Sequence, residues 1–254
     1  MLWSALAIKG YAIEASDGEI GTVSDILFDD KSWLTRWMVV HTGSWAFGRK
    51  VLLPRSTLGK PDENLRQFPV ALTQQQVKDS PDVDVDLPVS RQMESSVYRY
   101  YSWPPYWESE LSPMGIPAGM PLYLPLQALG GPVPQQSGTT TQGDGDPNLR
   151  SVMTVIGYHI EATDGPIGHA EDFWVDHIDG RVRYLTVDTG KWWPGKKRVI
   201  SPGLIREIDW LTRTISLNVD VEKLKSGPAF DPSEIESETF SDHFHRFFFG
   251  PELP

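Results

Sequence analysis

The chain repeats itself at an offset of 147 residues. Gly10-Tyr11-Ala12-Ile13-Glu14-Ala15 falls on Gly157-Tyr158-His159-Ile160-Glu161-Ala162, and Asp17-Gly18-Glu19-Ile20-Gly21 falls on Asp164-Gly165-Pro166-Ile167-Gly168. About 18 of the 41 positions from Gly10 to Lys50 are identical in this ungapped register, far above chance. Pro54 matches Pro202 rather than Ser201, which reads as a slip of one residue, and the register then returns at Val77-Lys78 on Leu224-Lys225 and Pro81 on Pro228. A unit of roughly 100 residues is too long for a solenoid repeat and long enough to hold its own core, so it reads as a duplicated domain.

The repeat sets the domain organisation. The first unit covers residues 1–107 and the second 151–254, each ending in an aromatic tail. Between them, 108–150 is rich in Pro and Gly, and such a composition predicts a flexible linker.

Within each unit, short apolar runs alternate with turn residues, which predicts strands and hairpins. Asp17-Gly18 and Asp164-Gly165 suit hairpin turns with positive φ, and Asp179-Gly180 suits another in the second unit. The run Gly21–Phe28 breaks strict alternation between Val23 and Ile26, as at a bulge. Thr73 and Asp220 are placed to cap short helices, and residues 94–101 and 234–248 read as amphipathic helices. The expected fold is therefore mainly β: two tandem small β-barrels, each followed by short helical segments.

The pattern Gly-Tyr-x-Ile, Asp-Gly-x-Ile-Gly and Thr-Gly, followed by Lys-x-Leu-Leu-Pro, resembles the PRC-barrel domain over residues 8–82 and 155–231. The resemblance implies a six-stranded barrel whose members mostly bind other macromolecules, without common catalytic residues. The segment Trp103-Pro104-Pro105-Tyr106-Trp107 is similar to one that follows the barrel in some bacterial members.

Candidate chemistry is sparse. The chain has no cysteine, which excludes disulfides, thiolate metal sites and a cysteine nucleophile. It carries neither a Gly-x-Ser-x-Gly elbow nor a phosphate-binding Gly-rich motif. Asp17 and Asp164 read as turn residues. Asp25, Asp29, Asp172 and Asp176 recur in both units and read as a solvated strand face, with a metal site the lesser reading. None of the six histidines matches a histidine in the other unit, and His243 and His245 point to different helix faces. No catalytic residue, cofactor or metal is expected.

Two features suit partner binding instead. The loop 190–198 gathers Trp192, Trp193, Lys196, Lys197 and Arg198, a basic aromatic stretch able to hold RNA or to seal a barrel end. The tails supply Tyr100, Tyr101, Trp103, Tyr106 and Trp107 in the first unit and Phe247 and Phe248 in the second. Such rings must be covered, and packing between the two units is the expected cover, ahead of a partner or a homodimer. A net charge of -11 opposes nucleic acid in general. The expected function is thus a non-enzymatic interaction or scaffold protein with a protein partner, forming an intramolecular pseudo-dimer or a homodimer; the alternatives are an RNA- or ribosome-associated factor and an enzyme with an unrecognised site. The start Met1–Ile8 is too short for a signal peptide and no stretch is long enough to span a membrane, so a cytoplasmic location is expected.

Overall fold

A computed structural model describes residues 1–43, 48–81, 91–103, 105, 148–190 and 197–250. The linker expectation for 108–147, and the candidates Trp192, Trp193, Lys196, Tyr106 and Trp107, lie outside the described residues.

The chain is mainly β, in two curled sheets. The first half contributes β1 (Leu2–Ser4), β2 (Ala12–Ala15), β3 (Gly18–Asp29), β4 (Leu34–Thr42), β5 (Lys50–Pro54) and β6 (Gln67–Pro69). Its helices are α1 (Ala5–Ile8), α2 (Gln74–Lys78) and α3 (Arg91–Tyr101). The second half contributes β7 (Leu149–Ser151), β8 (His159–Ala162), β9 (Gly165–Asp176), β10 (Val182–Asp188), β11 (Arg198–Ile200), β12 (Ile205–Asp209) and β13 (Thr214–Leu217). It adds helices α4 (Val152–Val155), α5 (Val221–Ser226) and α6 (Glu238–Phe249).

One sheet runs in the order β5-β4-β3-β2-β6, the other β11-β10-β9-β8-β13-β12. In each, a long central strand pairs antiparallel with both neighbours, and a later strand returns parallel to the first hairpin strand. The bulge expected between Val23 and Ile26 sits between Val23 and Asp25, where β3 shifts register against β4. Bulges of this kind strengthen local twist, which curls the sheet.

The turn expectation is corrected in detail. Ala15 pairs with Gly18 and Ala162 with Gly165, so each two-residue turn consists of the residues before the glycine, Ser16-Asp17 and Thr163-Asp164. The glycines that the fold demands are Gly21 and Gly168. A Cβ there would collide with the carbonyl oxygens of His41 and Asp188, on the neighbouring strands. Gly180 does take positive φ, 74°, as expected, and Trp33 holds the same position in the first half at 56°.

The one-residue slip near Pro54 is also corrected. Val39 pairs with Leu52 and Met38 with Leu53; at the same offset Thr186 pairs with Val199 and Leu185 with Ile200. Pro54 and Ser201 each cap the 3-10 turn that follows, at Arg55–Thr57 and Pro202–Leu204. The offset of 147 therefore holds throughout, and proline simply moved from cap to first turn position, where its fixed φ is also accepted.

The two halves exchange their first strands. β1 pairs with β9 of the second half (Leu2 opposite Asp176), and β7 pairs with β3 of the first half (Leu149 opposite Asp29). Leu149 and Arg150, which the sequence reading gave to the linker, are thus a sheet strand. Side chains from both halves join in one apolar core: Phe28 lies 5.6 Å from Phe173, and Trp33 stacks on Phe28 at 5.3 Å. Burial of a shared core resists separation of the halves, because apolar area returned to water costs about 25 cal/mol per Å².

Candidate docking groove and the recurring polar sites

The recurring aspartates are placed by the strand exchange. Asp25 Oδ2 accepts the Ser151 hydroxyl at 2.5 Å, and its Oδ1 accepts Met153 N at 3.1 Å and Ile26 N at 2.7 Å. Asp172 does the same in reverse, accepting the Ser4 hydroxyl, Leu6 N at 3.0 Å and Phe173 N at 2.7 Å. Each carboxylate thus clamps the arm arriving from the other half, just where that arm turns into a short helix capped by the same serine. This corrects the solvated-face reading: Asp172 is buried and Asp25 half-buried. Burial pushes both carboxyls above the ordinary range, against the opposing pull of the serine and backbone donors.

Asp29 and Asp176 hold their own turns. Asp29 accepts Lys31 N, Ser32 N and the Ser32 hydroxyl, with Arg36 at 3.8 Å; Asp176 accepts Ile178 N and pairs with Arg183 at 3.1 Å. Partial burial raises these carboxyls, but the donors and cations outweigh it and hold them below the ordinary range. Asp17 and Asp164 do more than turn the chain. They accept Gln74 N and Val221 N at 2.8 Å each, tying a hairpin tip to the first turn of α2 or α5.

The basic aromatic loop loses part of its proposed surface. Arg198 is buried, and its guanidinium donates to Lys225 O at 3.0 Å and Gly227 O at 3.2 Å, at the end of α5. Arg49 does the same work in the first half, donating to Val77 O, Lys78 O and Ser80 O. Arg198 is a fastening for the helix end. Lys197 stays exposed and pairs with Glu171 at 2.6 Å.

Among the described residues the aromatic tails pack mainly on their own halves, which corrects the expectation, although the cluster under α3 also takes in Leu149 from the second half. Each helix covers the outer face of its own sheet. Tyr98 lies 4.9 Å from Trp37, and Trp37 Nε1 donates to Glu94 at 2.6 Å, within a cluster of Leu27, Val39, Leu52 and Val97. In the second half Phe240 and Phe244 pack edge-on to Tyr184, and Phe248 and Phe247 follow along the helix. Phe248 is buried and Phe247 half-buried, so neither presents a free docking face.

The first half differs at the end of its helix. Ser102 takes positive φ at 56°, so α3 stops at Tyr101 and Trp103 folds back to stack on Tyr101 at 4.2 Å. Tyr100 packs edge-on to Tyr101 at 4.7 Å, and its hydroxyl donates to Gln76 O at 3.0 Å. Burial raises the Tyr101 hydroxyl to about 12, which keeps it a neutral donor. Opposite this aromatic ridge stands the turn Arg55-Ser56-Thr57. Between them lies a cavity of about 610 Å³, bounded by Ser56, Thr57, Gln76, Tyr100, Tyr101 and Trp103. A second of about 450 Å³ shares Ser56 and Trp103 and reaches Arg36, Tyr98 and Asp179; a third of about 220 Å³ shares Arg55 and Ser56 and reaches Trp3 and His177. Arg55 closes the seam, donating to His177 O and Ile178 O of the second half.

The second half fills the corresponding place. Gly203 replaces Ser56, and the Phe249 ring lies against it, so that even a Cβ would come within 3.0 Å of that ring. The groove of about 610 Å³ is lined by first-half residues alone. Sequence reading found Tyr100, Tyr101 and Trp103 but missed Ser56 and Thr57, whose only signal was their position after a strand-ending proline. Among the described residues no group of three or more His, Asp or Glu is placed to share a metal ion, and no helix is long and apolar enough to cross a membrane. No protein-family model matches the chain, and no curated protein matches it in sequence.

Proposed function

We propose that the chain is a non-enzymatic interaction or scaffold protein, built from two PRC-like barrel modules fastened as an intramolecular pseudo-dimer. Its docking surface is the aromatic groove of the first half, and its partner is a protein that offers an extended segment. The observation that carries this reading is the asymmetry between the halves: Trp103, Tyr101 and Tyr100 face an open channel beside Ser56, whereas Phe249 occupies that place over Gly203. A shallow aromatic channel edged by hydroxyls and an amide suits an extended peptide, which gives rings apolar contact and takes hydrogen bonds along its backbone. The RNA-associated reading rests on the loop 190–198, within which Arg198 is spent on α5.

Site-specific photo-crosslinking tests the proposal. A photoreactive residue at Ser56 or Ser102 of the full chain is expected to capture one or a few proteins whether or not RNase is present, while the same group at Ser226 on the far half captures none of them. Identical captures at all three positions, or captures lost on RNase treatment, would defeat it.

A further inference from the structure

Strands β8 and β9 set His159 directly opposite His169. The ladder bond beside them runs from Ala170 N to Tyr158 O at 2.8 Å, between the residues that flank the pair. That pattern marks a non-hydrogen-bonded pair, the kind in which facing side chains approach most closely. The two rings lie with centroids 4.7 Å apart and planes at 49°, and both residues are exposed. Their strands are fixed on either side, since His159 N donates to Arg213 O at 2.9 Å and His169 is in register with Asp188 of β10. Asp188 itself is committed to the Gly190 N–H at 2.8 Å. At the corresponding positions of the first half, Ala12 faces Thr22.

We propose that His159 and His169 form a bis-imidazole chelate for a borderline divalent transition ion such as Cu²⁺ or Zn²⁺. Imidazole nitrogen is a favoured donor for these ions, with bonds of about 2.0–2.1 Å for zinc, so two bound rings must bring their nitrogens to roughly 3 Å of each other. Rings already facing each other across a rigid ladder reach that separation by side-chain rotation alone. The protein supplies two ligands, so the remaining coordination positions are left to water or to a group from another molecule. The site lies in the other half from the aromatic groove, and it is independent of the docking proposal.

The test uses the full chain with Cu²⁺ alone, because Cu²⁺ stands highest in the affinity order of these divalent ions. Calorimetric titration gives the affinity, and electron paramagnetic resonance counts the bound nitrogens. The wild-type chain is expected to bind one Cu²⁺ through two imidazole nitrogens. His159→Ala and His169→Ala should each weaken that binding at least tenfold and reduce the count to one, with unchanged circular dichroism. The double variant His243→Ala/His245→Ala on α6 should leave both readings as they were. Equal affinity in wild type and His169→Ala, or loss of the signal in the α6 variant, would overturn the proposal.

Discussion

Leu34 and Arg181 face each other in an isolated antiparallel bridge, and each is the other's counterpart at the offset of 147 residues. The bonds around them are reciprocal: Thr35 N donates to Gly180 O at 2.9 Å and Val182 N to Trp33 O at 2.8 Å. A pseudo-two-fold axis therefore passes through this pair, and the exchanged strands β1 and β7 lie symmetrically about it. Such an arrangement is isologous, the geometry of a two-fold dimer, here made within one chain.

The bridge can be locked. A non-hydrogen-bonded antiparallel pair has the Cα spacing a disulfide needs, and the chain has no competing cysteine. Leu34→Cys/Arg181→Cys is expected to oxidise within one chain and to stabilise the fold by on the order of 4 kcal/mol, because it closes a long loop. Peptide mapping under non-reducing conditions and denaturant unfolding check this. Two free thiols in the folded protein would contradict the placement of the axis.

The arm clamps should respond to substitution in a graded way. Asp172→Asn keeps an oxygen for Leu6 N and Phe173 N, and is expected to cost about 1 kcal/mol. Asp172→Ala strands those donors, and is expected to cost about 2–3 kcal/mol and to raise hydrogen exchange at Leu6 first. Equal losses from both changes would mean that the carboxylate's hydrogen bonds do not hold the arm.

The same carboxylates predict a divided response to acid. Asp25 and Asp172 have native values raised by burial, so their charged forms are a penalty to the fold at neutral pH. Their contribution to stability is fully present below the unfolded value, near 3.8, and is lost as pH rises through the higher native value. Asp29 and Asp176 have lowered values, so theirs is present above 3.8 and lost as pH falls through the native value. Unfolding midpoints measured across this window should show Asp25→Asn/Asp172→Asn losing relative stability as pH falls from neutral, and Asp29→Asn/Asp176→Asn losing least at the acid end.

Neighbouring cations 197 and 198 should behave oppositely. Arg198→Ala leaves the carbonyls of Lys225 and Gly227 without this donor, and is expected to cost about 2 kcal/mol. Lys197→Ala removes an exposed pair with Glu171, and should change stability by less than about 1 kcal/mol. Urea unfolding distinguishes them; similar small effects from both would return Arg198 to the surface role first read from the sequence.

Gly168→Ala tests the sheet curl. Its Cβ would collide with the Asp188 carbonyl, a backbone atom that cannot rotate away. The expected result is a loss of more than about 2 kcal/mol or insoluble expression, whereas Gly157→Ala, with open space but positive φ at 91°, should lose only about 1 kcal/mol.

Much of the fold was legible in the residues. The 147-residue repeat marked two equivalent halves, the strand and turn chemistry placed the hairpins and the bulge after Val23, and Thr73 and Asp220 announced helices that they do cap. These features are local, and each is fixed by backbone preference within a few residues. The tertiary structure alone decided the rest. Leu2–Ser4 and Leu149–Ser151 have no periodicity of their own at three residues each, and become strands only because the other half offers an edge to pair with. Asp25 and Asp172 read as surface carboxylates because their partners, Ser151 and Ser4, are more than a hundred residues away. Arg198 read as a free cation until a helix end closed over it. The groove beside Trp103 exists because one residue, Ser102, turns the chain where the other half keeps its helix, and whether a ring lies over a surface or beside a channel depends on packing across elements that no linear pattern records.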